Sequence, residues 1–297
     1  MERPLVVGVD GSDAGFLALD WAVDEAALHE LPLRLVHASR WERYEDAAPT
    51  LSLKRPAERV LADNIVGAAI ERVHLRNAEV NVSTQVLADD PETVLLREAE
   101  HVSAVIVGSR GRGAFTGLLL GSVGLAVAGR ARCPVIVVRG DKAGLAGTHE
   151  RVLLGVGEAA KGSEAVRFAF REAQARGCTL DAVRAWRCPA HETADHPLLA
   201  GSPERYHEDR ASAVLDEALE EMAGEYPTVR VRRVTVEGPA HKVLMRRSAA
   251  ADLLVIGAQR RDGHLLRDGR LGLQLGRVAH AVLHHAECPV AVVPQPA

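Results

Sequence analysis

The sequence is written twice in one chain. Leu5-Val6-Val7-Gly8-Val9 is echoed by Val152-Leu153-Leu154-Gly155-Val156, and Ala18, Trp21, Ala22, Glu25 and Ala26 by Ala165, Phe168, Ala169, Glu172 and Ala173 at one offset. Further on, Ala104-Val105-Ile106-Val107-Gly108 matches Leu253-Leu254-Val255-Ile256-Gly257, and Cys133-Pro134-Val135-Ile136-Val137-Val138 matches Cys288-Pro289-Val290-Ala291-Val292-Val293. Two copies of one domain, each of about 145 residues, explain this spacing. The expected limits are 1–142 and 148–297. The join is Arg139–Glu150, a short linker in which glycine recurs and the hydrophobic period lapses.

Within each copy, short Val/Ile/Leu runs alternate with longer stretches of helical period. Runs apolar on consecutive residues suit strands covered on both faces, so each copy reads as a five-stranded parallel sheet flanked by helices, an α/β Rossmann-like domain. The first copy's strands are expected at 5–9, 33–38, 80–86, 104–107 and 135–138, with helices near 13–29, 56–77, 91–100 and 122–130. The second copy's strands are expected at 152–156, 179–185, 230–236, 253–256 and 290–293. Trp41–Pro49 and His191–Pro203 read as surface loops.

Composition narrows the function classes. At 47% hydrophobic and 26% charged, the 297 residues can bury large cores, which excludes disorder as a whole-chain reading. A net charge of −4 and 3% aromatic residues offer neither the positive field nor the stacking platforms of a nucleic-acid binder. The four cysteines contain no C-x-x-C pair, and no leader or apolar run of about 20 residues is present. A protein of the reducing cytoplasm, away from membranes, is expected.

In an open parallel sheet, ligands sit beyond the carboxyl ends of the strands where strand order reverses. After the fourth strand comes Gly108-Ser109-Arg110-Gly111-Arg112-Gly113, and Gly121-Ser122 then opens a helix. Glycines there suit a backbone that takes positive φ or approaches something closely, while Ser122 is expected to cap the helix and offer a hydroxyl. Helix-end amides with a positive dipole end favour phosphate. After the first strand, Asp10 is placed to accept from a ribose hydroxyl or hold Mg²⁺ beside phosphates, with Ser12 as a cap. Taken alone, Asp10 and Ser12 also read as plain turn and cap residues. No G-x-x-x-x-G-K-[ST], no glycine fingerprint in the first βαβ unit and no G-x-S-x-G elbow occurs.

Gly108-x2-Gly111-x9-Gly121-Ser122 resembles the G-2x-G-9x-G-[ST] signature of nucleotide-binding universal stress proteins. Val7-Gly8-Val9-Asp10-Gly11-Ser12 and the Cys-Pro-Val-Ile-Val-Val ending are similar to that family's first and last strands. The resemblance covers essentially the whole chain as a tandem pair. It implies that Gly108, Ser109, Arg110, Gly111, Arg112, Gly113, Gly121 and Ser122 hold the phosphates of ATP. It further implies that Gly8 and Val9 belong to the nucleotide site, that Asp10 serves the ribose or a Mg²⁺, and that the backbone near Val36-His37 meets adenine. Pairing through the last strands, within the chain and in a homodimer, is implied too.

The second copy departs from this pattern. Asp10 aligns with Gly157, Gly111 with Arg260 and Ser122 with Arg277, and six extra residues separate Gly257 from Gly276. A weakened or empty site is expected, with Arg260 and Arg277 either touching phosphate or filling its space. His280 and His284 lie at i and i+4 near Cys288 without a companion acidic motif, and read as a solvated helix face. Cys133 and Cys288 read as small hydrophobes.

The function expected is ATP binding that changes conformation or partner choice, in stress response or growth regulation. The segment 112–120 is the element expected to order on binding. No base beyond Asp10 adjoins the loop and no lysine stands in it, so hydrolysis is at most slow. The alternatives are a slow nucleotide hydrolase of the same fold and a scaffold that binds no nucleotide.

Overall fold

A computed structural model describes residues 3–39, 55–111, 120–157, 163–188, 203–259 and 275–295. Two compact units divide them, one within Met1–Arg139 and the other within Gly140–His264 and Leu275–Ala297.

The first unit runs β1 (Leu5–Gly8), α1 (Asp13–Leu28), β2 (Leu33–Ala38), α2 (Arg55–Arg76), β3 (Val82–Leu87), α3 (Pro91–Glu98), β4 (Ala104–Gly108), α4 (Ser122–Arg130) and β5 (Val135–Val138). Its strands lie in the order β3-β2-β1-β4-β5, every pairing parallel. Val6, Val7, Val105, Ile106 and Val137 are sealed from solvent because helices cover both faces, which is why these strands carry no polar alternation. β3 differs. It has only β2 beside it, its sequence is mixed, and Val86 stays 41% exposed. The strand accordingly starts at Val82, two residues after the apolar run that suggested it.

α1 and α2 are joined by two exposed bidentate pairs, Arg72 to Asp20 (2.6 and 2.7 Å) and Arg76 to Asp24 (2.7 and 2.5 Å). α3 and α4 are linked by an Arg130–Glu92 ion pair.

The second unit opens with a single helical turn, α5 (Lys142–Leu145), inside the stretch the sequence suggested as a plain linker. Asp141 caps it by accepting from Gly144 N–H at 2.9 Å, and a lapse in hydrophobic period does not register so short a turn. There follow β6 (Arg151–Gly155), α6 (Glu164–Arg176), β7 (Thr179–Trp186), α7 (Pro203–Glu225), β8 (Arg230–Glu237), α8 (Ala240–Ser248), β9 (Leu253–Gln259), α9 (Arg277–His285) and β10 (Val290–Gln295). The order β10-β9-β6-β7-β8, again parallel, repeats the first unit's topology. Pro203 opens α7 rather than closing a loop; Trp41–Pro49 and 191–202 lie outside the described residues. Among the described residues no helix is long and apolar enough to cross a membrane.

Candidate functional site

In the first unit, β1 is flanked by β2 and β4, and the chain leaves β1 toward β2 while β4 arrives later from the other side. A crevice opens at such a switch. Gly8 pairs with Val36 and Val7 with Ile106, so the carboxyl ends of all three strands emerge together. Beyond β1 the chain turns through Gly11, whose φ of +76° disfavours a side chain. The Asp10 carboxylate then accepts twice on Oδ1, from Ser12 N–H at 3.0 Å and Ser12 Oγ–H at 2.6 Å. Ser12 Oγ in turn accepts from Gly15 N–H at 3.0 Å, capping α1.

Close approach, and not positive φ, explains Gly108 and Gly111. A β-carbon on Gly108 would lie 2.6 Å from the Ala14 carbonyl oxygen, so α1's first turn crosses the strand end against bare backbone. One on Gly111 would lie 2.8 Å from Asp10 Oδ2. The loop thus returns to the carboxylate at the end of β1, about a hundred residues earlier in the chain. Gly121 N–H donates to Ser109 O at 2.8 Å, bringing α4's start to the same place, while Ser109 N–H donates to Val138 O at 3.1 Å.

One expectation is corrected here. Ser122 does not cap α4: Gly121 is the cap, with no side-chain hydrogen bond, and Ser122 is the first helical residue. Without a side-chain acceptor, the first-turn amides of α4 present their donors and the positive helix end toward the crevice.

On the other flank, Val36 O accepts from Val9 N–H at 2.9 Å, which engages one lone pair of the backbone expected to meet adenine. Buried His37 donates from Nδ1 to Val9 O at 2.7 Å; a carbonyl only accepts, so that nitrogen carries the proton. Gly8 packs against Leu95, and Arg110 is exposed. Arg112 and Gly113, and all of the segment 112–120 expected to order on binding except the buried Leu120, lie outside the described residues.

In the second unit Gly157 replaces Asp10, and Arg277 opens α9 behind Gly276 as Ser122 opens α4 behind Gly121. Gly257, the counterpart of Gly108, faces the buried Gln295 side chain instead of a helix backbone. Gln295 is held by Ser163 Oγ–H at 2.6 Å and itself donates to Val293 O at 3.1 Å. Arg260 lies outside the described residues.

The profile of the Universal stress protein family matches residues 1–139 and again 148–294. The chain belongs to the universal stress protein family. It is 34% identical over 301 residues to universal stress protein Rv2005c of Mycobacterium tuberculosis, covering 99% of this chain and 98% of the relative. A universal stress protein of Mycolicibacterium smegmatis is 31% identical over 301 residues, with 98% and 97% covered. The fold is shared with the crystal structure of a universal stress protein from Archaeoglobus fulgidus, at a TM-score of 0.71, 17% identity and 99% and 98% coverage.

In this universal stress protein the sequence reasoning missed Gly15. Its β-carbon would stand 2.6 Å from Asp10 Oδ1, so the first turn of α1 cradles the carboxylate only because it is bare. A signal was present: glycine inside a helix costs about 1 kcal/mol relative to alanine and invites a reason. Burial pushes the Cys133 thiol up to about 12 and raises that of Cys178, so neither supplies a thiolate near neutrality. His280 and His284 stack with ring centroids 4.5 Å apart, and among the described residues no third ligand joins them.

Proposed function

We propose that the first unit of this universal stress protein binds ATP in the crevice between β1 and β4 and transmits occupancy as a change of conformation or partner. The observation that carries the reading is the meeting of the Asp10 carboxylate, the bare Gly111 backbone and the uncapped start of α4. These are an acceptor for a ribose hydroxyl and a set of amide donors for phosphate, adjacent to one another. Gly108, Ser109, Gly111, Gly121 and Ser122 form the phosphate side, with Arg110 at its exposed rim. Gly8, Val9, Asp10 and Val36 form the nucleoside side. A carboxylate and a hydroxyl are hard oxygen ligands, so Asp10 and Ser12 suit a Mg²⁺ that arrives on the nucleotide and offsets its phosphate charge.

A signal of this kind requires ATP to favour one of two conformations. A role in stress response or growth regulation follows from that reading. Equilibrium dialysis of the full chain with ATP and Mg²⁺ tests it, alongside Gly111→Arg, which introduces the residue the second copy carries. Saturable Mg²⁺-dependent binding that G111R abolishes is expected; equal Mg²⁺-dependent binding by both proteins, or none by either at millimolar ATP, removes the site.

A further inference from the structure

The second unit holds a cleft of about 730 Å³ at the carboxyl ends of its strands. Four guanidinium groups, Arg184, Arg187, Arg210 and Arg277, line it together with His207 and His241. No acidic side chain is among the described residues that line it. They come from four elements: the end of β7 and the starts of α7, α8 and α9.

The backbone register identifies what stands at these positions in the first unit. Val156 N–H donates to Val183 O as Val9 N–H does to Val36 O, which sets Arg184 in the place of His37. Both side chains reach the same carbonyl, His37 to Val9 O at 2.7 Å and Arg184 to Val156 O at 3.4 Å. Val243 N–H donates to Pro239 O as Val94 N–H does to Asp90 O, so Gly238, Pro239 and His241 replace Asp89, Asp90 and Glu92. Arg277 replaces Ser122 and Gly157 replaces Asp10. At the aligned positions that line the cleft three carboxylates leave and two guanidiniums arrive, a swing of five charges toward positive on an unchanged backbone plan.

Two arginines elsewhere in the unit are neutralised: Arg247 contacts Asp181 at 3.0 Å and Arg233 contacts Asp216 at 3.1 Å. Among the described residues Arg187, Arg210 and Arg277 form no ion pair. Like charges gathered in one cleft repel, and an anion that they share converts that repulsion into attraction. Planar guanidiniums match phosphate oxygens in pairs, and α8 and α9 both begin without a side-chain cap, adding helix-end donors. The volume lies within the usual range for a small-molecule site.

We propose that this cleft is a second, distinct ligand site that takes an oligophosphate group, recognised by charge and without a divalent cation. The loss of the Asp10 carboxylate, which weakens a site for Mg²⁺-nucleotide, strengthens one for a bare polyanion. The inference is independent of the ATP reading of the first unit.

The test is calorimetric titration of the full chain with inorganic tripolyphosphate in EDTA, in the G111R background so that the first crevice contributes nothing. Micromolar binding is expected, falling at least tenfold in R277S and in R184H, which restore the first unit's residues, and in R210E on the exposed face of α7. R277K keeps the charge but loses the planar fork, so its affinity falls between those of the parent and R277S and shows that the cleft is folded. Repeating the titration with ATP in EDTA separates the sources: equal affinity assigns an inorganic chain, and tighter ATP assigns the phosphate tail of an organic ligand. Binding in EDTA that G111R itself removes, binding unaffected by R184H, R277S and R210E, no binding at millimolar tripolyphosphate, or tighter binding of a single-stranded oligonucleotide overturns the proposal.

Discussion

Replacing Gly111 by alanine sets a methyl carbon 2.8 Å from Oδ2 of Asp10, well inside ordinary carbon–oxygen contact. The carboxylate must retreat by roughly half an ångström, because dispersion contacts are comfortable only at about 3.5 Å. Its other oxygen is held at 2.6 and 3.0 Å by Ser12, so the retreat stretches both bonds. Hydrogen bonds to a charged group contribute about 1.5–3 kcal/mol each, and partial loss of two costs about 1–2 kcal/mol. For a unit of this size that lowers Tm by about 2–8 °C. ATP affinity falls at least about tenfold, equivalent to 1.4 kcal/mol, if the carboxylate's position serves the ribose.

Asp10→Asn supplies the contrast. Its carbonyl oxygen still accepts from Ser12 but without the charge, which costs about 1 kcal/mol and lowers Tm by about 2–4 °C, while the amide nitrogen puts a donor where the ribose needs an acceptor. Scanning calorimetry reads the first quantity and titration with Mg-ATP the second. If G111A lowers Tm while both variants bind ATP like the parent, Asp10 is a turn residue and the nucleoside half of the site is refuted.

Two further outcomes follow from the packing. Asp252, only 5% exposed, accepts from His149 N–H and Arg151 N–H at 2.9 Å each, so Asp252→Ala leaves two backbone donors without their acceptor and costs about 3 kcal/mol; a Tm loss under 2 °C by calorimetry contradicts this. Burial raises the Cys133 thiol from its ordinary 9.0 to about 12, so the folded state holds its proton longer than the unfolded chain. That contribution is complete below pH 9 and is lost as pH climbs toward 12. Urea midpoints should therefore decline above pH 9, and less steeply in Cys133→Ala; parallel declines in the two proteins would tell against it.

Much of the fold was legible because its signals are local. Consecutive apolar residues such as Val135–Val138 mark a strand covered on both faces, and the duplicated blocks mark a duplicated unit, without reference to any distant residue. The edge strand β3 was less distinct, since Ser83 and Thr84 face outward and the apolar run no longer coincides with the hydrogen-bonded ladder. The glycine spacing at 108, 111 and 121 also belongs to the sequence itself. Its physical cause does not: one glycine admits the α1 backbone, another admits a carboxylate from the end of β1, and the third caps a helix that Ser122 was expected to cap.

The primary structure by itself determined the duplication and the order of strands and helices, and it singled out Asp10 and the glycine loop as candidate site residues. Only the tertiary structure decided that Gly111 lies against Asp10, that Gly15 must be bare, and that Arg184, Arg210 and Arg277 converge on one cleft with no acidic residue among the described lining residues. The reason is that parallel strands bring together carboxyl ends separated by a crossover connection, so proximity is set by register across the sheet and not by spacing along the chain.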